Sequence, residues 1–253
     1  MNNSTVDFKE LDPSIVIITM QDKVNKNTFT NELLAGLLEA FDRVEKSQSY
    51  KVVILTGYEN YFASGGTQEG LIAIQESKAK FSDTLNGKSM YSMALDCKIP
   101  VISAMQGHGI GGGFAMGLFA DFVLLSRESF YTANFMKYGF TPGFGATFIL
   151  PEKLGFALAE EMMLNAGSYR GADLEKRGIP FRVLPREEVL EQAIDLARQI
   201  AEKPRYSLIT LKDHLVSSLR EKLPKVIEQE TVMHDKTFHQ PEVKEKIMTL
   251  FGR

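Results

Sequence analysis

At 253 residues the chain is long enough to bury a substantial core. Twenty-nine Lys and Arg stand against 32 Asp and Glu, a formal net charge of −3. That balance gives no electrostatic case for nucleic acid or an acidic membrane surface, so any phosphate-bearing partner must be gripped by local positive charge. The single cysteine, Cys97, excludes an intrachain disulfide framework, no Cys/His cluster has zinc spacing, and no metal is expected. The N-terminus lacks a basic-then-apolar leader, and no apolar run approaches the ~20 residues that span a bilayer, which together predict a cytoplasmic protein.

Residues 1–13 are polar and are expected to fray. The β-branched run 15–20 (Ile-Val-Ile-Ile-Thr-Met) predicts a strand. Residues 28–44 place Leu33, Leu34, Leu37, Leu38, Phe41 and Val44 at helical spacing. A short buried strand follows at 51–57, which completes β-α-β and argues for parallel pairing in an α/β fold. Residues 61–70 form a small-residue loop directly after that strand. Residues 71–86 have few core positions, and their second half is expected to be a mobile flap. A helix at 90–95 leads to a strand at 101–105.

The next stretch, 106–117, reads Gln-Gly-His-Gly-Ile-Gly-Gly-Gly-Phe-Ala-Met-Gly and is half glycine. It runs from a strand into a helix expected at 114–120. Further strands are expected at 121–126 and 130–132, and a Gly/Pro loop at 138–145. From 153 the chain is mostly helical: 156–165 with a stop at 166–168, a short helix at 172–177, a short strand at 181–184 and a long amphipathic helix at 186–202. Helices at 206–215, 219–238 and 241–251 complete it. The organisation expected is an α/β core over 1–200 with a helical region over 201–253.

Three consecutive glycines at a strand-to-helix junction leave main-chain N–H groups bare, and the helix dipole there favours negative charge. The stretch is suited to a phosphate or a developing oxyanion. Gly107, Gly109 and Gly112 also fit the Gly-x-Gly-x-x-Gly of dinucleotide binding, with Glu128 as the acidic residue such a site needs. A P-loop is excluded, because no Gly-Lys-Ser/Thr follows. The small-residue loop about 45 positions earlier changes the weighting. Two glycine-rich loops, each following a strand, can each offer one N–H to the same oxygen, which is the arrangement of an oxyanion hole.

On these residues the sequence resembles the crotonase (enoyl-CoA hydratase/isomerase) superfamily. The resemblance is carried by Phe62-Ala63-Ser64-Gly65-Gly66, Ile99-Pro100-Val101-Ile102-Ser103-Ala104, Gly107-His108-Gly109-Ile110-Gly111-Gly112-Gly113, Ala120-Asp121 and Thr141-Pro142-Gly143, in an order that covers nearly the whole chain. It implies a spiral of ββα units with a C-terminal helical region. It also implies an acyl thioester substrate, carried on CoA or on the phosphopantetheine of an acyl carrier protein, with no other cofactor. The implied oxyanion donors are Gly66 and Gly112, and Ala63, Gly65, Gly111 and Phe135 are the implied substrate-binding positions. Members commonly form trimers or dimers of trimers, so a homotrimer is expected.

Hydratases of this superfamily carry one glutamate two residues after the triple glycine and another seven before the proline of the later loop. Here those positions are Ala115 and Phe135, neither of which can move a proton. Adding water to an enoyl thioester needs a positioned acid/base, so hydration is not expected. The chain is most similar to the decarboxylating crotonases of polyketide β-branching. These are thought to use one lysine in the flap and one histidine in the C-terminal region, here Lys80 and His234, with His239 close enough for the assignment to slip. The implied reaction converts a 3-methylglutaconyl thioester into a 3-methylcrotonyl thioester through a dienolate.

The bland readings stand beside these. Lys80 reads equally as a solvated lysine, His234 as a packing residue on the stripe Ile227, Thr231, His234, Phe238, and His108 as a ring stacked beneath the hole. His214 and His239 have weaker claims. Lys137, Lys153, Arg205 and Lys212 are candidates to meet an acidic carrier surface, or are ordinary solvated charge. An enoyl-thioester isomerase using the same hole is the first alternative. A non-catalytic acyl-thioester or RNA-binding homologue is the second. The helix at 28–44 sets Glu32, Glu39 and Asp42 against Arg43 alone, which disfavours RNA.

Overall fold

The computed structural model describes residues 5–80 and 89–252. Its elements in chain order are β1 (Val6–Asp12), β2 (Ile15–Met20), α1 (Asn31–Lys46), β3 (Val52–Thr56), β4 (Tyr61–Ala63), α2 (Gln68–Gln75), α3 (Met93–Asp96), β5 (Val101–Met105), β6 (His108–Ile110) and α4 (Gly112–Leu118). Then come β7 (Phe122–Ser126), β8 (Phe130–Thr132), a 3-10 turn (Asn134–Tyr138), α5 (Ala146–Leu154), α6 (Phe156–Asn165), β9 (Ser168–Arg170), α7 (Gly171–Lys176), β10 (Arg182–Leu184), α8 (Arg186–Ala201), α9 (Arg205–Thr237) and α10 (Pro241–Leu250).

Two sheets stand side by side. The larger runs β1-β2-β3-β5-β7-β10, antiparallel at β1–β2 and parallel from β2 onward. The smaller runs β4-β6-β8-β9, parallel except at β8–β9. Each turn of the spiral therefore lays one strand in the large sheet, one in the small sheet, and then a helix: β3-β4-α2, then β5-β6-α4. Glycine makes the corners possible. A side-chain carbon at Gly57 or at Gly107 would collide with the backbone at Tyr61, so successive turns of the spiral stack main chain on main chain there.

The central strands of the large sheet, β2, β3 and β5, are buried on both faces, which is why they read as unbroken apolar runs. Alternation decides which face each residue serves. Ile15, Ile17, Val52, Ile54, Ile102 and Leu124 meet Val189, Ala193 and Ala197 of α8. Val16, Ile18, Val53, Leu55, Val101 and Met105 join the main core with α1, α4 and the helices behind them.

The N-terminus departs from expectation. Residues 6–12 are not frayed but form β1, because Val6 and Phe8 turn inward while Asp7, Lys9 and Glu10 face water. Asp12 closes the hairpin, its Oδ1 accepting from Ser14 N (2.7 Å) and Ile15 N (3.0 Å). The helices expected at 206–215 and 219–238 are one 33-residue helix, α9, with Pro224 inside it. Helix α5 and strands β4, β6 and β9 went unread, the strands because three residues carry too little periodicity. The C-terminal helices share the main core through Val216, Leu223, Phe238, Val243 and Ile247. Among the described residues no helix is long and apolar enough to cross a membrane.

Candidate active site

The two glycine loops meet. Gly65 has φ +74° and its carbonyl accepts from Phe29 N at 2.7 Å. A side-chain carbon on Gly65 would lie 2.9 Å from Ile110 O and 3.2 Å from Gly112 N, so nothing bulkier than glycine fits between the loops. Asn27 locks this arrangement from beneath, donating to Met20 O (3.0 Å) and Phe62 O (2.8 Å) while its Oδ1 accepts from Asp22 N. On the other side Gly111, at φ +54°, donates to Thr132 O at 2.8 Å and sits against Asn134. Gly112 opens α4, where the first N–H groups of a helix have no intrahelical acceptor.

Gly66 and Gly112 line one cavity of about 500 Å³, together with Gly65, Gly111 and Phe135. Ala63 is not at its surface. It is fully buried one layer down, where its carbonyl packs so tightly on Gly113 that a side chain there has no room. Ala115 is fully buried within α4, and Phe135 forms wall. Among the described residues, the only carboxylate lining the cavity is Glu69, exposed in the first turn of α2. Among them, too, no three His, Cys, Asp or Glu side chains gather as a metal site.

Lys80 and His234 lie together in a smaller neighbouring cavity of about 80 Å³, with Ile74, Thr231 and His239. Phe140 stands between the two spaces. It lines the larger one, and its ring centroid is 6.3 Å from the His234 ring and 4.3 Å from that of Phe238. His234 is buried on α9, and a side chain on Gly143 would collide with its Nε2. Burial pushes its pKa down to about 4, against a smaller upward pull from Asp235. Lys80 is exposed and is the last described residue before 81–88; the second half of the expected flap lies outside the described residues.

The other histidines have structural places. His108 Nδ1 accepts from Phe130 N at 2.9 Å, and its ring packs on Tyr61 and Phe130. His239 Nδ1 donates to Gln75 O at 2.9 Å, tying α9's end to α2. His214 is exposed on α9. Glu128 accepts from Ser126 Oγ (2.8 Å) and from Arg186 N (3.0 Å) at the start of α8, so the dinucleotide alternative loses its acidic residue to a cap.

Three of the four cations considered for a carrier surface are corrected by the structure. Lys212 is buried, paired with Asp121 at 2.8 Å and donating to Ala94 O and Ile99 O. Lys153 donates to Ala120 O, and Arg205 to Ser47 O and Tyr50 O. Each satisfies backbone carbonyls at a chain turn. Of the four, only Lys137 lines the large cavity, as does Lys26.

One residue of this region was not legible in sequence. Glu230 is 3% exposed, and its carboxylate accepts from Gly145 N (2.8 Å), Thr147 N (2.9 Å) and Thr147 Oγ1 (2.6 Å). Burial raises its pKa against those three donors. Its place four residues before His234, on the same helix face, was the available signal.

Comparison with known proteins agrees with this architecture. The chain is 64% identical over 252 residues, covering both chains in full, to the Bacillaene synthase decarboxylase PksI of Bacillus subtilis (strain 168). It superposes with a TM-score of 0.96 on a structure from a dehydratase/decarboxylase enzyme couple involved in polyketide beta-branching, at 64% identity over 99% of this chain and all of that one. The ECH2 decarboxylase domain of CurF from Lyngbya majuscula superposes at 0.92, with 46% identity over 98% of this chain and all of that domain. The enoyl-CoA hydratase/isomerase model matches residues 10–251, nearly the whole spiral and its helical tail, and the chain belongs to that family.

Proposed function

We propose that this chain is a crotonase-fold decarboxylase of polyketide β-branching, converting a 3-methylglutaconyl thioester on an acyl carrier protein into a 3-methylcrotonyl thioester. The observation that carries the reading is a cavity lined by Gly66 and Gly112, one from each glycine loop, while Ala115 and Phe135 occupy the positions of the hydratase glutamates. The full-length likeness to a bacillaene synthase decarboxylase supports it.

The C–C bond to the carboxylate breaks, CO2 leaves, and the bonding pair moves into the conjugated system as a dienolate. The charge gathers on the thioester oxygen, where the Gly66 and Gly112 N–H groups stabilise it; one such donor contributes about 3 kcal/mol in comparable sites. Lys80 orients the departing carboxylate by a charge-assisted hydrogen bond. His234 then protonates the γ-carbon. A histidine with a pKa near 4 is neutral at pH 7, so it needs help to act as an acid. The substrate carboxylate supplies that help, because a neighbouring negative charge favours imidazolium. Loss of CO2 moves that charge from the carboxylate to the thioester oxygen, away from the imidazolium, and the proton is released to the dienolate.

Lys26 and Lys137 at the cavity mouth suit a phosphopantetheine carried by an acidic protein. Exposed Tyr206, Leu211 and Leu215 on α9 and Met248 on α10 suit burial in a homotrimer. The test is mass spectrometry of the carrier-bound acyl group. Loss of CO2 is expected; a product of unchanged mass would replace the reading with isomerisation. Lys80→Ala is expected to lose decarboxylation with its fold intact, and full turnover by that variant would remove Lys80 from the mechanism.

A further inference from the structure

Helix α9 presents Glu230, His234 and Thr237 on one face, at positions i, i+4 and i+7. The 141–147 loop is hooked to that face at both ends. Glu230 takes the N–H groups of Gly145 and Thr147 and the Thr147 hydroxyl. Thr237 Oγ1 accepts from Thr141 N at 3.3 Å and pairs with Thr141 Oγ1 at 3.0 Å. Between the hooks, bare backbone at Gly143 lies against Nε2 of His234. Phe140 and Phe144, just outside and inside the hooked segment, line the thioester cavity.

A helix such as α5 ordinarily takes its N-terminal cap from the residue at its own start. Here that residue is Gly145, in a left-handed conformation, and the acceptor is supplied from 85 positions away by the helix that carries His234. A buried carboxylate is a costly way to cap a helix. It does something a local cap cannot, which is to fix the loop relative to the imidazole.

We propose that Glu230 is a positioning residue, clamping the 141–147 loop onto α9 so that His234 and the aromatic wall of the thioester cavity hold one geometry. This rests on the reading of His234 as the proton donor. Glu230 itself does not touch substrate.

The test compares Glu230→Ala, Glu230→Gln and Thr237→Val with Lys212→Met, which removes a buried ion pair elsewhere on the same helix. Each variant is assayed for CO2 release from the carrier-bound thioester, and the His234 ring is followed by 15N NMR titration. Among the described residues, the titratable groups beside that ring are Asp235 on α9 and Lys80 and His239 across the small cavity, with Glu230 one turn earlier on the helix; the 141–147 loop brings no titratable side chain. A displacement of about 1 Å costs on the order of 100-fold, so Glu230→Ala is expected to lower kcat about 30- to 100-fold with KM within twofold. Glu230→Gln and Thr237→Val, each keeping part of the clamp, fall between. In all three the His234 titration moves up from about 4 as water reaches the ring. Lys212→Met loses stability but keeps kcat and the titration.

Wild-type kcat and an unmoved His234 titration in the Glu230 and Thr237 variants would overturn the proposal, as would an equal kcat loss in Lys212→Met. If Glu230→Ala does not fold, Glu230→Gln and Thr237→Val decide by the same readouts. If wild-type protein releases no CO2, the functional reading fails instead, and the His234 titration alone then judges the clamp.

Discussion

Replacing His234 by leucine tests the electrostatics of the site without any substrate. The folded imidazole titrates at about 4, against an ordinary value of 6.5, because burial among Phe140, Phe238 and Gly143 disfavours the charged ring. Between those two pH values the unfolded chain binds a proton that the folded chain refuses. Above pH 6.5 both states are neutral and His234 costs nothing. As pH falls the unfolded state gains the proton first, so stability is lost progressively, and the loss saturates below pH 4. The gap between the two values corresponds to about 3 kcal/mol, of which about 2 kcal/mol falls between pH 7 and about pH 4.5.

A leucine side chain has no proton to bind, so the His234→Leu variant lacks this dependence while keeping every other titration, that of Glu230 included. Urea unfolding of both proteins at a series of pH values reads the difference directly. Wild type is expected to lose about 2 kcal/mol more than His234→Leu over that interval. Parallel pH profiles would mean that His234 is solvated in the folded state, and the account of a substrate-charged acid would fall with it.

Two further outcomes are expected. Gly112→Pro removes the N–H that the proposed mechanism assigns to the thioester oxygen, at the first helical position, where proline is tolerated, so kcat should fall by about 10²- to 10³-fold while circular dichroism stays that of wild type. An unchanged kcat would show that this N–H does not meet the developing charge. Lys212→Met strands Asp121, which also accepts from Val101 N at 2.7 Å, and should cost about 3 kcal/mol in chemical denaturation; a loss under about 1 kcal/mol would mean that the pair is not desolvated.

The α/β core was legible because its central strands are apolar on both faces, whereas its spiral order came only with the family resemblance carried by the glycine-rich loops. That the two glycine loops serve one site was anticipated from each following a strand; the close approach of Gly65 to Gly112 N was not. The three-residue strands β4, β6 and β9, and β1 with them, escaped notice for a common reason. Each is held by its neighbours in the sheet rather than by its own periodicity, and a half-solvated edge such as 6–12 looks like coil. Charge was the poorest guide. Lys153, Arg205 and Lys212 look like surface in sequence, yet each terminates on backbone carbonyls, a fate that depends on where distant turns arrive. Glu230 is the same lesson with a carboxylate: among Glu228, Glu230 and Asp235, only the fold decides which turns inward.

Helix α9 buries Lys212 against Asp121 and the carbonyls of Ala94 and Ile99, and reaches His234 twenty-two residues later, about 33 Å along its axis. It is therefore a ruler with a phase. Inserting or deleting a single residue between those points would turn His234 by roughly 100° and carry it out of the small cavity, though every side chain remained present. Substitutions on the outer face of this span are cheap, but its length is not free to drift. Related chains that keep the chemistry should vary here in composition and agree in count.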